Sequence, residues 1–234
     1  MKRMLILLAV LLQSGVMMAQ VDIRGWYTHF STFRIPKTKF SVYAELQYRF
    51  GQRHSPNQTI VLRPGINYHI NESMTVSAGY AHIDYTDKWA HEERRTWQQF
   101  AFSHPVKMLL LEHRARLEQR FLHETVYHPA DEMEVKHFTG HRFRYQLRGM
   151  LPFNGQQNFT KGIYAAVQNE LFIDINNNSY YSKAGLNENR MFVGPGYRFS
   201  RKFDVELGYM HHYKKRYGYS ENQHAIQLTS YLRL

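Results

Sequence analysis

Polar and apolar residues alternate strictly in the segment Val42-Tyr43-Ala44-Glu45-Leu46-Gln47-Tyr48-Arg49-Phe50. One set of alternate positions holds Val, Ala, Leu, Tyr and Phe, and the other holds Tyr, Glu, Gln and Arg. A period of two is typical of a β-strand with one apolar and one polar face. The same pattern occurs at residues 60–70 and 226–234, with similar segments at 74–85, 94–106, 108–122, 136–150, 162–175, 189–199 and 203–213.

These segments run to about ten residues or more, whereas the usual globular strand has about five or six. Alternating segments of this length, separated by turns, are what a membrane-spanning barrel requires. The connections alternate in length as well. Short ones at 71–73, 104–107 and 200–202 are followed by longer polar ones at 51–58, 87–93, 123–134, 176–188 and 214–222, and only 154–161 breaks the pattern. Long loops at one end and short turns at the other are typical of outer-membrane barrels.

The predicted fold class is all-β, an antiparallel up-and-down transmembrane β-barrel. Counting from Phe40 gives ten strands, and residues 25–34 form an eleventh candidate. Single-chain bacterial barrels have even strand numbers. We therefore expect ten strands, with twelve as the alternative.

The N-terminus has the three parts of a secretory signal peptide. Lys2 and Arg3 precede an apolar run over residues 5–12, and Ala19 supplies a small residue for cleavage. The apolar run is too short for a transmembrane helix. We expect residues 1–19 to be a cleaved signal peptide and residues 20–234 to form one barrel domain, located in the outer membrane of a Gram-negative bacterium.

The composition excludes several classes of protein. The chain has 234 residues, a formal net charge of +11 and no cysteine, which excludes disulfide frameworks, zinc-cysteine sites and thiol catalysis. A mean hydropathy of -0.55 excludes a polytopic helical membrane protein.

Charged residues share the polar faces of the predicted strands. A charge on the lipid-facing side of a barrel costs about 2–4 kcal/mol at the bilayer midplane, so we expect these faces to line the lumen. Buried charges must be paired there. The predicted lumen ionic network consists of Glu45, Arg49, Arg63, Glu112, Arg114, Arg116, Glu118, Arg120, Arg142, Arg144, Arg148, Glu170, Arg190, Arg198 and Glu206.

Two interpretations of this network remain open. It forms either a structural ladder that plugs the lumen or a polar conduit or anion-binding cavity. Adding Asp204 to the network gives ten arginines against six carboxylates, an excess that keeps the second interpretation open. If the ladder is tightly paired, Arg116→Leu should destabilise the barrel by several kcal/mol, because carboxylates would be left buried without a partner.

Catalytic and metal sites are not assigned from the sequence. His211, His212, His224, His137 and His141 come nearest to metal-ligand spacing, but adjacent residues of a strand point in opposite directions. A hydrolase with its site at the barrel rim is the enzymatic alternative, although no Gly-x-Ser-x-Gly motif is present. Its candidate residues are Asp84, Asp87, His82, His91, His123, Asp174, His211 and His212.

An ordered set of short motifs resembles the family known as domain of unknown function 2490. The central one is Leu111–Phe121, and the others include Glu45–Arg49, Arg63–Tyr68, Asn169–Phe172, Gly194–Tyr197 and Glu206–Tyr209. The resemblance implies an outer-membrane β-barrel. It implies no catalytic residue, because the family has no established activity.

We expect a non-enzymatic outer-membrane protein with a structural or surface-interaction role, or a narrow polar or anion pathway. A second alternative is a soluble periplasmic barrel that binds a small ligand. The expected partners are outer-membrane lipid, lipopolysaccharide and the barrel-assembly machinery. No cofactor and no metal is expected. Nucleic acid is excluded, since the basic residues alternate along strands and form no exposed patch.

Overall fold

The computed structural model describes residues 23–51, 58–85, 91–127, 133–153, 159–177, 183–215 and 218–234. Of residues 91, 123–127 and 133–136 it describes the backbone. The predicted signal peptide, residues 1–19, lies outside the described residues. Within the described ranges there is no helix that is long and apolar enough to cross a membrane.

The described residues form eleven strands, each of which pairs with its neighbours to close a barrel. In chain order they are β1 (Ile23–Arg34), β2 (Phe40–Phe50), β3 (Thr59–His69), β4 (Met74–Tyr85), β5 (His91–Val106), β6 (Leu109–Tyr127), β7 (Met133–Pro152), β8 (Gly162–Asp174), β9 (Gly185–Ser200), β10 (Phe203–Lys215) and β11 (Ser220–Arg233).

The strand number differs from both expected values, since the described barrel has eleven strands and neither ten nor twelve. The ten strands counted from Phe40 are present, and β1 fills the gap between β2 and β11. In an up-and-down order the first and eleventh strands run in the same direction. The closing pair is therefore parallel, from Ile23 opposite His224 to Thr32 opposite Arg233, and it is the exception to an otherwise antiparallel wall.

The two ends of the barrel differ in their connections. The links that follow odd-numbered strands, such as 107–108 and 201–202, lie at one end, which we call the turn end. The links that follow even-numbered strands lie at the opposite loop end, and β1 begins there. The strands reach further into these links than expected. Glu93 belongs to β5 and Glu188 to β9, whereas the sequence pattern placed both in loops.

The outer surface of the barrel is apolar on every described strand. Large hydrophobic side chains are 37–54% exposed along the middle of the wall, and no other element among the described residues covers them. The alternation that predicted the strands puts the opposite set of side chains into the lumen. The exposed set includes Phe33, Val42, Leu46, Leu62, Ile66, Val76, Phe100, Leu117, Leu147, Ile163, Val167, Met191, Val193, Leu207, Ile226 and Leu228.

Two glycines on adjacent strands make room for an aromatic ring inside the lumen. Gly65 on β3 lies opposite Gly79 on β4, and the Trp97 indole of β5 packs over both. A Cβ atom at Gly79 would lie 2.6 Å from Trp97 Cζ2 and would also overlap the carbonyl oxygen of Pro64. Trp97 is buried with Val61, Ala81 and Ile83, so its indole ring has no room to move away from an added Cβ atom.

We therefore predict that Gly79→Ala lowers the free energy of unfolding by about 1–3 kcal/mol, because overpacking forces the backbone or Trp97 to shift. The measurement is denaturant unfolding of the purified protein in detergent. Gly140→Ala is the matched control, since a Cβ atom at Gly140 would meet nothing within 4 Å. Equal unfolding midpoints for the two variants would contradict the prediction.

Candidate functional site in the barrel lumen

The centre of the lumen is organised around the carboxylate of Glu118 on β6, which is completely buried. Arg142 Nη2 lies 2.9 Å from its Oε2 atom, and Arg144 Nη1 lies 2.6 Å from its Oε1 atom. Arg95 Nη1 approaches Oε2 at 3.3 Å from the other side. Three arginines on the two flanking strands thus pair with one carboxylate: Arg142 lies in register with Glu118 on β7, and Arg95 on β5 reaches it from two positions away.

Two further carboxylates extend this arrangement around the wall. Glu45 on β2 accepts a hydrogen bond from Arg63 on β3. Glu170 on β8 lies 2.7 Å from Arg144 Nη2 and 2.8 Å from Arg114 Nη2. The pairs connect strands β2 to β8 at one level of the barrel. We call this level the ion-pair belt: Glu45, Arg63, Arg95, Arg114, Arg116, Glu118, Arg142, Arg144 and Glu170.

Arg116 differs from the other arginines of the belt. Its Nε and Nη2 atoms donate to Gln99 Oε1 at 3.0 and 2.7 Å, and its guanidinium lies 4.9 Å from the centre of the Trp97 ring. Its Nη1 atom has no hydrogen-bond partner among the described residues, and Glu118 Oε1 is 3.9 Å away. The sequence-based reason for expecting Arg116→Leu to be costly is therefore wrong, since Glu118 keeps its closer partners when Arg116 is removed.

The belt separates two open chambers of the lumen. The loop-side chamber has a volume of about 590 Å³, and the turn-side chamber has a volume of about 460 Å³. Trp26, Gln47, Arg144 and Arg190 line both chambers, so their side chains lie between them. Arg144 belongs to the belt, and Trp26, Gln47 and Arg190 complete the partition beside it.

The loop-side chamber contains its own ion pairs. Glu93 of β5 is completely buried, lies 2.8 Å from Arg95 Nε and 2.5 Å from Arg120 Nε, and accepts a hydrogen bond of 2.9 Å from Tyr85. Glu188 of β9 pairs with Arg142 at 3.2 Å. These carboxylates hold the cationic wall of the chamber in place.

Aromatic hydroxyls support the carboxylates at the turn side. Glu206 of β10 accepts hydrogen bonds from Arg148, from Tyr164 at 2.9 Å and from Tyr231 at 3.1 Å. Below it Asp204 pairs with Arg198 at 2.8 Å. Arg148 and Arg198 at the turn side are therefore each paired with a carboxylate.

All fifteen residues of the predicted network lie on lumen-facing positions of their strands. The belt takes Glu45, Arg63, Arg114, Arg116, Glu118, Arg142, Arg144 and Glu170, and the turn side takes Glu112, Arg148, Arg198 and Glu206. The loop side takes Arg49, Arg120 and Arg190. Arg49 is the member that no described carboxylate approaches within 4 Å.

Sequence reasoning missed several members of the network, among them Arg233, which pairs with Asp204 at 3.2 Å. Glu93 and Glu188 were assigned to loops, and Arg95 was left out of the inward set although it stands two positions from Trp97 on the same face. Extending two predicted strands by one residue each places Glu93 and Glu188 on the inward faces, whereas Arg95 already lies in the predicted segment 94–106. The polar residues beside Glu93 and Glu188 make these strand ends resemble loops.

The candidate residues for rim hydrolysis or metal binding do not converge. His82 lies beside Glu92 at 3.4 Å, His211 contacts Asn222 at 3.1 Å, and Asp174 accepts a hydrogen bond from Asn187. Asp87 lies outside the described residues, as do the side chains of His91 and His123. No group of three metal-ligating side chains occurs in the part of the chain that the structure describes.

The closing seam instead brings together three outward-facing polar side chains. His29 of β1 contacts Ser230 of β11 through Nδ1 at 2.7 Å and contacts Ser31 through Nε2 at 2.7 Å. Ser230 and His29 are 201 positions apart in sequence. This juxtaposition follows from barrel closure alone, so no spacing in the sequence could have indicated it.

The comparison with family models agrees with the sequence resemblance. The family model described as "Protein of unknown function (DUF2490)" matches residues 23–223. An uncharacterized protein of Methylorubrum extorquens is 27% identical over 199 residues, which covers 82% of this chain and 79% of the relative. A crystal structure of the NanC porin aligns with 92% of this chain and 100% of its own, at a TM-score of 0.49 and 13% identity.

We predict that Glu118→Gln lowers the free energy of unfolding by about 3–5 kcal/mol, because several buried arginines lose their common counter-charge. Glu112→Gln is the control, since the Glu112 side chain is 42% exposed and joins one ion pair, for which about 1 kcal/mol or less is expected. The loss of unfolding free energy for Arg116→Leu should be well below that for Glu118→Gln. Detergent unfolding measures all three, and a loss for Arg116→Leu equal to that for Glu118→Gln would contradict the assignment.

Proposed function

We propose that this chain, which belongs to the family Protein of unknown function (DUF2490), is a non-enzymatic outer-membrane β-barrel whose lumen is closed by the ion-pair belt. Its role is then structural or lies in contacts made at the loop end. The observation that carries the proposal is the inversion of the usual protein interior, with charges enclosed and apolar side chains outside.

The apolar outer wall supports a position in a lipid bilayer. Exposed hydrophobic side chains surround the barrel on all eleven described strands. Soluble monomeric proteins rarely expose contiguous apolar patches larger than a few hundred Å². The soluble periplasmic barrel considered from the sequence would expose this whole surface to water. Outer-membrane lipid, lipopolysaccharide and the barrel-assembly machinery remain the proposed partners.

The expected export signal supports the outer membrane over other membranes. In outer-membrane barrels the short turns face the periplasm and the longer loops face outward. With that orientation the loop-side chamber opens to the outside of the cell and the turn-side chamber opens to the periplasm. The start of β1 then lies on the cell surface, and the end of β11 faces the periplasm.

The belt supports a closed lumen. Its residues Glu45, Arg63, Glu118, Arg142 and Arg144 are all at most 4% exposed, and each charge is held by partners from other strands. Displacing one of these side chains leaves a buried charge without its partner, which costs about 3–5 kcal/mol. A resting conduit for ions is therefore disfavoured.

We predict that the protein fractionates with the outer membrane and shows heat-modifiable gel mobility, and that it produces no steady ionic current in a planar bilayer. Glu118→Ala combined with Arg144→Ala removes one charge of each sign from the belt and should produce resolvable current steps. The control is Glu112→Ala combined with Arg233→Ala at the turn end, which should produce no ionic current. A steady current from the unaltered protein, or its recovery as a soluble periplasmic protein, would overturn the proposal.

A second candidate function rests on the seam. Ser230 and His29 have the hydrogen-bonded arrangement of a nucleophile and its base, and Ser31 fixes the imidazole from the other side. Because these side chains face outward between Leu228 and Leu232, an acyl ester of a membrane lipid is the substrate class that could reach them.

For this candidate we predict covalent labelling of Ser230 by a fluorophosphonate in detergent micelles, with loss of the label in Ser230→Ala and slower labelling in His29→Asn. Ser77→Ala is the matched control, because Ser77 is buried and faces the lumen. Absence of labelling, or labelling that persists in Ser230→Ala, would remove the hydrolase alternative.

A further inference from the structure

The loop-side chamber carries a marked excess of positive charge. Its lining includes nine Arg or Lys side chains and three Glu side chains. Glu45, Glu118, Glu170 and Asp174 also lie within 4 Å of several of these arginines, and counting them still leaves an excess of two positive charges. The basic lining consists of Arg24, Arg49, Arg63, Arg95, Arg120, Arg142, Arg144, Arg190 and Lys214.

Arg49 is the arginine of this lining that no described carboxylate approaches within 4 Å. Its Nη2 atom donates to Gln47 at 2.6 Å, and its Nε atom is buried with no hydrogen-bond partner among the described residues. Buried charges in proteins are normally paired with a charge of opposite sign. Arg49 as a whole is half-buried, so its guanidinium remains accessible to an anion that enters the chamber.

Trp26 brings a second arginine to the same place. The guanidinium of Arg49 lies 4.0 Å from the centre of the Trp26 ring, and that of Arg190 lies 5.0 Å from it. The two guanidinium groups are therefore within about 9 Å of each other, and their mutual repulsion falls if an anion binds between them. Glu188, at 3.3 Å from Arg190, offsets one of these two charges.

Two buried ring nitrogens at this position also lack partners. Trp26 is 7% exposed and His212 is 1% exposed, yet Trp26 Nε1 and His212 Nδ1 have no hydrogen-bond partner among the described residues. The two rings are neighbours, with centroids 5.9 Å apart. Both residues line the chamber. Unsatisfied buried polar atoms are uncommon in native structures, and a missing ligand is one physical explanation for them.

We propose that the loop-side chamber is a binding site for a small solute that carries a carboxylate or phosphate oxyanion, with Arg49 and Arg190 as the charged ligands and Trp26 Nε1 as an additional donor. Guanidinium groups recognise both oxyanions through paired hydrogen bonds. The volume of about 590 Å³ lies within the range of about 300–1,000 Å³ that is common for small-molecule sites. The closed belt below the chamber makes it a binding pocket and not a passage.

The test is isothermal titration calorimetry of the full mature chain in detergent micelles, with inorganic phosphate and acetate as probes, at constant ionic strength set with sodium chloride. We expect saturable binding of at least one probe and a loss of at least tenfold in affinity for Arg49→Gln. Tighter binding of phosphate would assign the solute to phosphate esters, and tighter binding of acetate would assign it to carboxylates.

Arg34→Gln is the matched control. Arg34 lines the turn-side chamber and, like Arg49, forms no ion pair within the described residues, so the substitution removes the same charge without breaking a pair. Affinity should be unchanged in this variant. Arg49→Lys, which keeps the charge but loses the planar fork, should bind with intermediate affinity, and it keeps the test valid if Arg49→Gln fails to fold.

Three results would overturn the proposal: no saturable heat with either probe, unchanged affinity in Arg49→Gln, or an equal loss in Arg34→Gln. The last result would mean a diffuse electrostatic attraction without a site. Because the titration uses the protein in detergent and measures no current, its failure is separate from failure of the outer-membrane or closed-lumen proposals.

Discussion

A carboxylate that is removed from water has to be balanced by cations within reach, and in this barrel the requirement is met across strands. Glu118 is paired with arginines that come from β5 and β7. Glu45 joins β2 to β3 in the same way, and Glu170 joins β8 to β7 and β6. The wall is held together by its backbone ladder, and these pairs join the inward side chains of β2, β3 and β5 to β8. On the remaining side of the lumen an enclosed apolar cluster, which includes Trp26, Phe192 and Met210, packs between the strands.

The same constraint determines which side of each strand faces outward. Since a one-residue slip exchanges the two faces of a strand, it would place arginines against the surroundings and leucines in the lumen. Alternation alone was therefore enough to predict the β class, the lumen-facing side of all fifteen network residues and the strand character of Leu111–Phe121. Each of these depends on the local period and not on contacts made far along the chain.

Features that depend on which strands meet when the barrel closes could not be predicted from the alternation of polar and apolar residues. The parity rule for bacterial barrels excluded an odd strand number, and β1 was set aside although its residues 25–34 had been recognised as a candidate. The pairing of Ser230 with His29 depends on which strands meet at the seam. The large inward aromatic groups, such as Trp97, depend on glycines of neighbouring strands. Glu93 and Glu188 escape the sequence pattern for a simpler reason, since polar strand ends look like loops.

An odd number of strands also leaves one line of the wall unlike all the others. Parallel pairing has slanted hydrogen bonds and is slightly less stable per residue than antiparallel pairing, and β1 with β11 is the place where it occurs. No short hairpin connects these two edges, so nothing covalent keeps them together locally. Under lateral tension we expect the barrel to open first between β1 and β11. The last step of its assembly is the parallel pairing of these two edge strands.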